Sequence, residues 1–552
     1  MGHLLTIAGE EEYKAPAYYR AARQVKGYPG DLEELLEGGR TTEIPGVGPA
    51  LASKIEEIRS GGSFRALDQI QDRLPSDVLG LIDIPGIGAR TAGKLYRELG
   101  VENPGDLERA IQSQQVRRVG GLGPKREEQL AQALRAYFRH QSILPLYRAR
   151  WVASQMAGHL EKMESVIDCW LTGDARRGSP EVTRVEMVVV TAPDGSPQLP
   201  NPEELGAPDA RLIPASPSSA GLVRLITTGS EQHVARLREL AGRRGFVLEK
   251  EGAGIDAGDE WAEDETGVYG RLDLPFIPPE LRETGREIDA AVDGQLPRLL
   301  GPGDIRGDLH LHTSWSDGVH RLEEMVSAAL DLDYDYLAVT DHSQSLSIAR
   351  GLDPARLRQQ GAEIRQMRES MRGFQILAGS EVDILPDGSL DFELELLESL
   401  DLVVGSIHTA FSLSPGQQTK RLVAACENPH VDVIAHPSGR VLGYREGYGA
   451  DMDELIDAAA RTGTALEINA TPDRMDLDDR HAARAAAKGV LLAINSDAHS
   501  RVALPDLSYG ITVARRAWLG PEQIVNAWPW SRFRRWLRAS KTERATMGRD
   551  TS

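Results

Sequence analysis

Cysteine is nearly absent from this 552-residue chain. Only Cys169 and Cys426 occur, and two thiols so far apart argue against a disulfide framework and fit a reducing cytoplasm. No apolar run reaches the length of a membrane span, so no membrane association is expected. Met1-Gly2-His3-Leu4 lacks a basic segment followed by a long apolar core, and no signal peptide is expected. Positive charge is in deficit: 63 Lys and Arg against 83 Asp and Glu leave a net charge of −20. For the protein as a whole that balance argues against nucleic acid. The charge is unevenly placed, however. Residues 1–150 are close to neutral and the acidic excess lies downstream, so a local binding face remains possible. The length predicts roughly three to five domains.

Against these absences stands a concentration of metal-ligand chemistry. His310, His312, Asp317, His342, Glu381, His408, His436, Asp497 and His499 sit at the ends of alternating apolar runs, and most of the 13 histidines lie in this last part of the chain. Imidazole and carboxylate together suit Zn, Mn or Fe. Nine ligands are too many for one ion, so two or three divalent metal ions are expected as cofactors. Seven strands are predicted, over 307–313, 334–340, 375–379, 402–406, 431–435, 465–469 and 490–495. Helical stretches such as 322–330, 354–371 and 452–462 separate them. Such alternation implies parallel strands, and seven or eight units close into a barrel. The nine residues then fall beyond the C-terminal ends of strands one to five and seven, the face where barrels carry active sites. Asp341 and Asp383 are adjacent acids that either hold ligand tautomers or face solvent. Arg440, in His436-Pro437-Ser438-Gly439-Arg440, is a candidate catalytic residue that grips a substrate phosphate, with Arg474 a weaker one; either could instead form a structural ion pair. A metal cluster makes hydroxide from water at neutral pH and neutralises an attacked phosphoryl group, which is what phosphoester hydrolysis requires.

An internal repeat dominates the first third. Ile44-Pro45-Gly46-Val47-Gly48 and Ile84-Pro85-Gly86-Ile87-Gly88 each precede a helical run, and Val119-Gly120-Gly121-Leu122-Gly123 is a looser third copy. Each reads as helix, Gly-rich turn, helix. The glycines let the backbone approach a ligand, and the following helix adds its positive end. Gly46, Gly48, Gly86, Gly88, Gly121 and Gly123 are therefore the candidate DNA-phosphate contacts, without sequence readout. Between repeat and barrel, a strand is predicted over 182–191, loop over 193–219, a helix over 232–244 and an acidic, Gly-rich linker or loop over 250–270. The polar end of the chain, 544–552, reads as disordered.

These residues carry a family resemblance. Residues 305–520 resemble a PHP (polymerase and histidinol phosphatase) domain through Gly307-Asp308-Leu309-His310-Leu311-His312-Thr313, Thr340-Asp341-His342-Ser343, Gly379-Ser380-Glu381-Val382-Asp383, Ser406-Ile407-His408, Ala435-His436-Pro437 and Asp497-Ala498-His499. All nine metal-ligand positions of that domain are filled. Nearly the whole chain is similar to the bacterial family X DNA polymerases, and the repeat resembles the helix-hairpin-helix motif. Ile277-Pro278-Pro279-Glu280-Leu281-Arg282-Glu283 is also typical. The resemblance implies a multidomain chain: an all-α helix-hairpin-helix region, an α/β nucleotidyltransferase-like palm with thumb, and a C-terminal (β/α)7 barrel. The expected boundaries are 1–80 and 81–145 for the hairpin domains, 146–230 palm, 231–300 thumb and linker, 301–535 barrel and 536–552 tail. It also implies metal-dependent 3′–5′ exonuclease or related DNA phosphodiesterase activity, often with Mn. The polymerase half departs from the family's pattern. Where the family has G-S-x-R-R this chain has Gly173-Asp174-Ala175-Arg176-Arg177, and the D-x-D position reads Arg184-Val185-Glu186. Arg211 falls near the third aspartate, with Asp209 close by. Asp174, Arg184 and Glu186 thus mark a degenerate site, since two Mg²⁺ ions need paired carboxylates. The expectation is a cytoplasmic DNA-repair exonuclease acting on gapped, nicked or 3′-ended DNA, with polymerase activity lost. The alternatives are an active gap-filling polymerase with associated exonuclease, a small-molecule phosphomonoesterase, and a DNA-end scaffold without catalysis.

Overall fold

The computed structural model describes residues 1–9, 14–26, 35–36, 38–44, 46–71, 73–141, 143–192, 199–246, 248 and 262–550. Pro45 of the first repeat, 193–198 of the predicted loop, 250–261 of the predicted linker and 551–552 of the predicted tail lie outside the described residues. The chain forms two compact units, Met1–Ser142 and Ile143–Ser552. No helix among the described residues is long and apolar enough to cross a membrane.

The first unit is helical: α1 (Gly2–Ala8), α2 (Ala15–Lys26), α3 (Pro49–Gly61), α4 (Arg65–Gln71), α5 (Ala89–Leu99), α6 (Pro104–Gln112) and α7 (Pro124–Gln141). Its three repeats fold alike. Gly46, Gly86 and Gly121 have φ of +79°, +85° and +87°, a region that only glycine enters freely. In each turn the amide of the fourth residue, Val47, Ile87 or Leu122, donates to the carbonyl of the first, Ile44, Ile84 or Val119, at 3.0, 2.9 and 3.0 Å. Those six side chains are buried. The apolar side of each turn therefore anchors it. The first turn packs in a small core with Ala21 and Leu35, while the second and third share a larger one with α1.

In the second unit α8 (Leu146–Leu160) leads to a three-stranded sheet of β1 (Val166–Thr172), β2 (Glu186–Thr191) and β3 (Arg211–Ala215), in that order. β1 and β2 are antiparallel, β2 and β3 parallel. The strand predicted over 182–191 is interrupted, because Glu181–Val182 pairs instead with Leu144–Pro145. β3 lies in the stretch predicted as loop. Ile213 and Ala215 bury against Val188 and Val190, an alternation too short to stand out among the flanking Pro and Ser. Next come α9 (Ala220–Thr228), α10 (Glu231–Arg243), α11 (Glu265–Arg271) and α12 (Arg286–Val292), around a core that includes Leu225, Leu237, Val268 and Tyr269. α11 corrects the linker predicted over 250–270. Its acids are structural: Asp264 caps the helix by accepting from the Gly267 amide at 2.7 Å, and buried Glu265 pairs with Arg176 and Arg282.

The remainder is a seven-stranded parallel barrel of β4 (Gly307–Asp308), β5 (Tyr336–Val339), β6 (Gln375–Asp383), β7 (Leu402–Ser406), β8 (Val433–Ile434), β9 (Ala465–Asn469) and β10 (Leu492–Asn495). Neighbours in sequence are neighbours in the sheet. The two edges meet where the Asp497 amide donates to the His310 carbonyl and the His312 amide to the Ala498 carbonyl, each at 2.9 Å. Helices α13 (Leu322–Asp331), α14 (Pro354–Ser370), α15 (Pro415–Glu427), α16 (Met452–Thr462), α17 (Asp479–Ala487) and α18 (Leu507–Arg516) cover it. With both faces covered, the strands are almost wholly buried. Two further helices, α19 (Trp530–Arg538) and α20 (Lys541–Arg549), close the chain. α20 corrects the disorder expected over 544–552. Its polar residues find buried partners: Arg544 pairs with Asp432 at 2.6 Å and lies over the Trp536 ring, and Lys541 donates to Thr464 Oγ1 at 2.6 Å.

Candidate metal centre

Parallel strands deliver their C-terminal ends to one mouth, and all nine expected residues arrive there. His310, His312 and Asp317 follow β4, and His342 follows β5. Glu381 lies near the end of β6. His408 follows β7, His436 follows β8, and Asp497 and His499 follow β10. Glu381 is the hub. Its Oε1 lies 3.0 Å from His436 Nε2 and 3.3 Å from His408 Nε2, and its Oε2 lies 2.6 Å from His342 Nδ1 and 3.5 Å from His310 Nε2. Asp497 Oδ1 is 3.1 Å from His312 Nε2. Asp317 Oδ1 is 3.4 Å from His499 Nε2 and 3.6 Å from His342 Nε2. Three overlapping groups have one donor atom per residue close enough together to hold an ion: His312, Asp317, His342 and His499; His310, His312 and Asp497; and His342, Glu381 and His408. His436 and Asp497 take positive φ, +27° and +53°. Such backbone is unfavourable for non-glycine residues and concentrates at functional sites.

The donor set fits divalent cations by a direct test. His310 Nε2, His312 Nδ1, His342 Nδ1, His436 Nδ1 and Glu381 Oε2 are buried and make no well-formed hydrogen bond, although His342 Nδ1 and Glu381 Oε2 lie 2.6 Å apart. Unpaired buried polar atoms are costly, and bound cations would satisfy these five. Charge is strongly coupled here. Burial opposes a charged Glu381, yet His408, His342 and His310 hold its carboxyl well below the ordinary range. Burial likewise opposes a charged His408, but Glu381 and Asp383 raise it to about 10. His312 is driven down to about 3 by burial and by His342 and His499.

The supporting shell contains residues that the sequence pattern did not single out. Glu467, on β9, is fully buried. Its Oε1 faces His310 Nδ1 at 2.8 Å and accepts from Asn495 Nδ2 at 2.8 Å, while its Oε2 accepts from the His436 amide at 2.7 Å. Its signal was an acid inside the apolar run of the one strand whose end carries no expected ligand. Of the two neighbouring acids, Asp383 faces His408 Nδ1 at 2.9 Å. Asp341 touches no ligand imidazole; it accepts from the Thr313 amide and hydroxyl at 2.8 and 2.6 Å and so braces the loop carrying Asp317. Arg440 is engaged by the segment that follows β9. Its guanidinium donates to the carbonyls of Arg474 and Met475 and lies 3.6 Å from Asp478. Arg474 makes no side-chain hydrogen bond or ion pair among the described residues. Burial disfavours its charge, but Asp497, Tyr448, Asp476 and Asp473 outweigh that and raise its pKa.

The three-stranded sheet carries the opposite arrangement. Glu186 and Arg211 are register partners across β2 and β3, with their side chains 3.5 Å apart. Arg184 is exposed just before β2. Asp174 pairs with Arg177 and accepts from Thr183 at 3.1 Å. Arg176 is taken up by Glu265 and by Thr228 at 2.7 Å, and Arg177 also holds Glu283 at 3.0 Å. In the first unit the second and third turns interlock: Lys94 Nζ donates to the Gly120 carbonyl at 2.6 Å and Arg126 Nη2 to the Gly86 carbonyl at 2.7 Å. Two cations thus stand beside two glycine turns. A Cβ at Gly46, Gly48, Gly88 or Gly123 would meet nothing within 4 Å, so these backbones are open to a ligand.

Comparison with known proteins agrees with this architecture. Family models match a helix-hairpin-helix domain at residues 1–64, a SAM-like helix-hairpin-helix tandem at 78–136, a DNA polymerase beta thumb at 223–283 and a PHP domain at 308–471. The "DNA polymerase/3′-5′ exonuclease PolX" of Bacillus subtilis (strain 168) is 34% identical over 548 residues, 95% of each chain. The chain belongs to the PolX family. Its barrel is also similar to smaller proteins. A "Probable phosphatase" of Syntrophotalea carbinolica is 28% identical over 233 residues, 40% of this chain and 90% of that protein. One from Thermoanaerobacter sp. is 28% identical over 230 residues, 40% of this chain and 89% of that protein. The hairpin and thumb domains of this PolX chain mark it as DNA-binding, and its barrel has a metal-dependent hydrolase fold that takes divalent metals.

Proposed function

We propose that this protein is a metal-dependent 3′–5′ exonuclease that trims gapped or nicked DNA at its barrel, and that its palm holds DNA without polymerising. The observation that carries the reading is the set of five buried, unpartnered donor atoms at the barrel mouth. The nine residues there would hold two or three ions, of Mn, Zn or Fe. Bound divalent ions supply Lewis acidity toward water and the phosphoryl oxygens. The chain's own part is positioning. Glu467 and Asp383 face the Nδ1 atoms of His310 and His408, which leaves each Nε2 for an ion and orients the ring. Arg474, facing Asp497 without a side-chain partner, would hold the phosphate; Arg440 would serve the loop. The glycine turns with Lys94 and Arg126 would take the DNA backbone irrespective of sequence.

The loss of polymerisation rests on charge. Two carboxylates must face two Mg²⁺ ions and a triphosphate, whereas here one of the two positions is Arg184 and the other, Glu186, is paired to Arg211. Purified protein with Mn²⁺ and 3′-labelled gapped duplex is expected to release mononucleotides, and His342→Ala to lose that activity. Full activity in the variant would overturn the assignment. On the same duplex with deoxynucleotides no primer extension is expected; extension would restore the gap-filling polymerase. DNA binding by protein that elemental analysis finds free of metal would favour a scaffold.

A further inference from the structure

Twelve large apolar side chains are well exposed among the described residues, and six of them lie in segments that leave the C-terminal ends of barrel strands. Val319, Ile348, Leu394, Phe411, Tyr444 and Val502 each follow a different barrel strand at the mouth. Two of the six are aromatic, and they lie on adjacent loops after β7 and β8, which also carry His408 and His436.

The second of these loops is built to hold a ring in place. Val441 and Arg445 exchange backbone bonds at 2.7 and 2.8 Å, a tight hairpin whose tip presents Tyr444, 66% exposed. A brace fixes the hairpin to the centre. The Arg445 guanidinium lies 4.4 Å from the Phe411 centroid, and Phe411 stacks on Tyr448 at 5.8 Å with 11° between the planes. The Tyr448 hydroxyl donates to the His436 carbonyl at 2.9 Å. Residue 439 must be glycine for this packing, because a Cβ there would sit 1.8 Å from the Tyr448 ring. A chain of direct contacts therefore runs from His436 at the centre to the exposed hairpin.

We propose that Tyr444 is a stacking platform for the terminal nucleobase of the DNA strand whose phosphodiester lies at the metal centre, with Phe411, Arg445 and Tyr448 as the brace that positions it. The proposal rests on the exonuclease reading and adds where the base goes. A nucleotide has an anionic phosphate and a flat aromatic base; the mouth offers cation ligands beside an exposed ring and a guanidinium. Stacking uses the face that every base possesses, so the subsite takes all four without sequence preference.

Two measurements separate this subsite from the chemistry beside it. In EDTA, an oligonucleotide ending 3′ in 2-aminopurine should lose fluorescence on binding the full-length protein, because the fluorophore stacks. Tyr444→Ala should abolish the quenching and Tyr444→Phe should retain it. With Mn²⁺, the ratio of kcat/KM for an oligonucleotide with a 3′-terminal purine to that for one with a 3′-terminal abasic residue should fall in Tyr444→Ala by roughly 5- to 150-fold, the equivalent of about 1–3 kcal/mol per stacked base, and be rescued by Tyr444→Phe. Quenching without hydrolysis of either substrate supports the subsite and sinks the exonuclease reading. Hydrolysis with no quenching, or an equal loss on both substrates in Tyr444→Ala, sinks the subsite and spares the exonuclease.

Discussion

The barrel mouth and the palm sheet both use neighbouring parallel strands to gather charged side chains, and they do opposite things with them. At the mouth, carboxylates meet imidazoles, and five buried atoms are left without hydrogen-bond partners. In and beside the palm sheet, acids meet guanidiniums instead: Asp174 with Arg177, Glu186 with Arg211, and Glu265 with Arg176 and Arg282. Imidazole can shed its proton and offer the freed lone pair to a cation, whereas arginine cannot be deprotonated in a protein and has no lone pair to offer. The same fold logic therefore makes one cation site and one neutralised surface. Acidic residues close in space are not enough; what they face decides whether they remain available.

The sharpest way to break this contrast is to remove a ligand. His310→Ala should lower the rate of 3′-nucleotide release by about 10³-fold, the loss of several kcal/mol of metal-assisted stabilisation, and so should treatment with a chelator reversed by Mn²⁺. A smaller effect tests the shell behind it. Glu467→Gln keeps the shape but removes the charge facing His310, and should weaken metal affinity or activity by roughly 10- to 100-fold, read by metal titration of a folded protein. Smaller again is the contribution of the repeats. Lys94→Ala or Arg126→Ala should weaken DNA binding alike for unrelated sequences and flatten the slope of log K against log salt by about 1, measured by fluorescence anisotropy. The smallest effect is expected in the palm. Glu186→Gln should alter nuclease rate by less than about 2-fold, and stability by about 0–1 kcal/mol, as befits a partly exposed ion pair. A large loss of nuclease activity in Glu186→Gln would show that the palm acid still works.

Much was legible in the chain because strand ends and ligands are local signals. All seven barrel strands lie within the predicted stretches or overlap them, and 402–406 and 465–469 coincide. The glycine turns were legible for the same reason: positive φ at one position and apolar residues on either side leave a short, recognisable pattern. What was not legible depended on partners far away in sequence. Polar 544–552 read as disordered until Asp432 and Trp536 were seen to receive Arg544. Acidic 262–270 read as linker until Arg176 and Arg282 were seen to receive Glu265. Arg440 read as a phosphate grip from its motif alone, which could not show that carbonyls 34 and 35 residues away also engage its guanidinium.

By itself the sequence determined the element types of the barrel, its parallel order, the repeat and the identity of the residues able to ligate metal, because these follow from periodicity, turn chemistry and side-chain donors. Only the tertiary structure decided which charges are free. Whether a carboxylate or guanidinium is available depends on what lies within about 4 Å of it, and for Glu467, Arg440 and Glu186 that neighbour comes from another part of the chain.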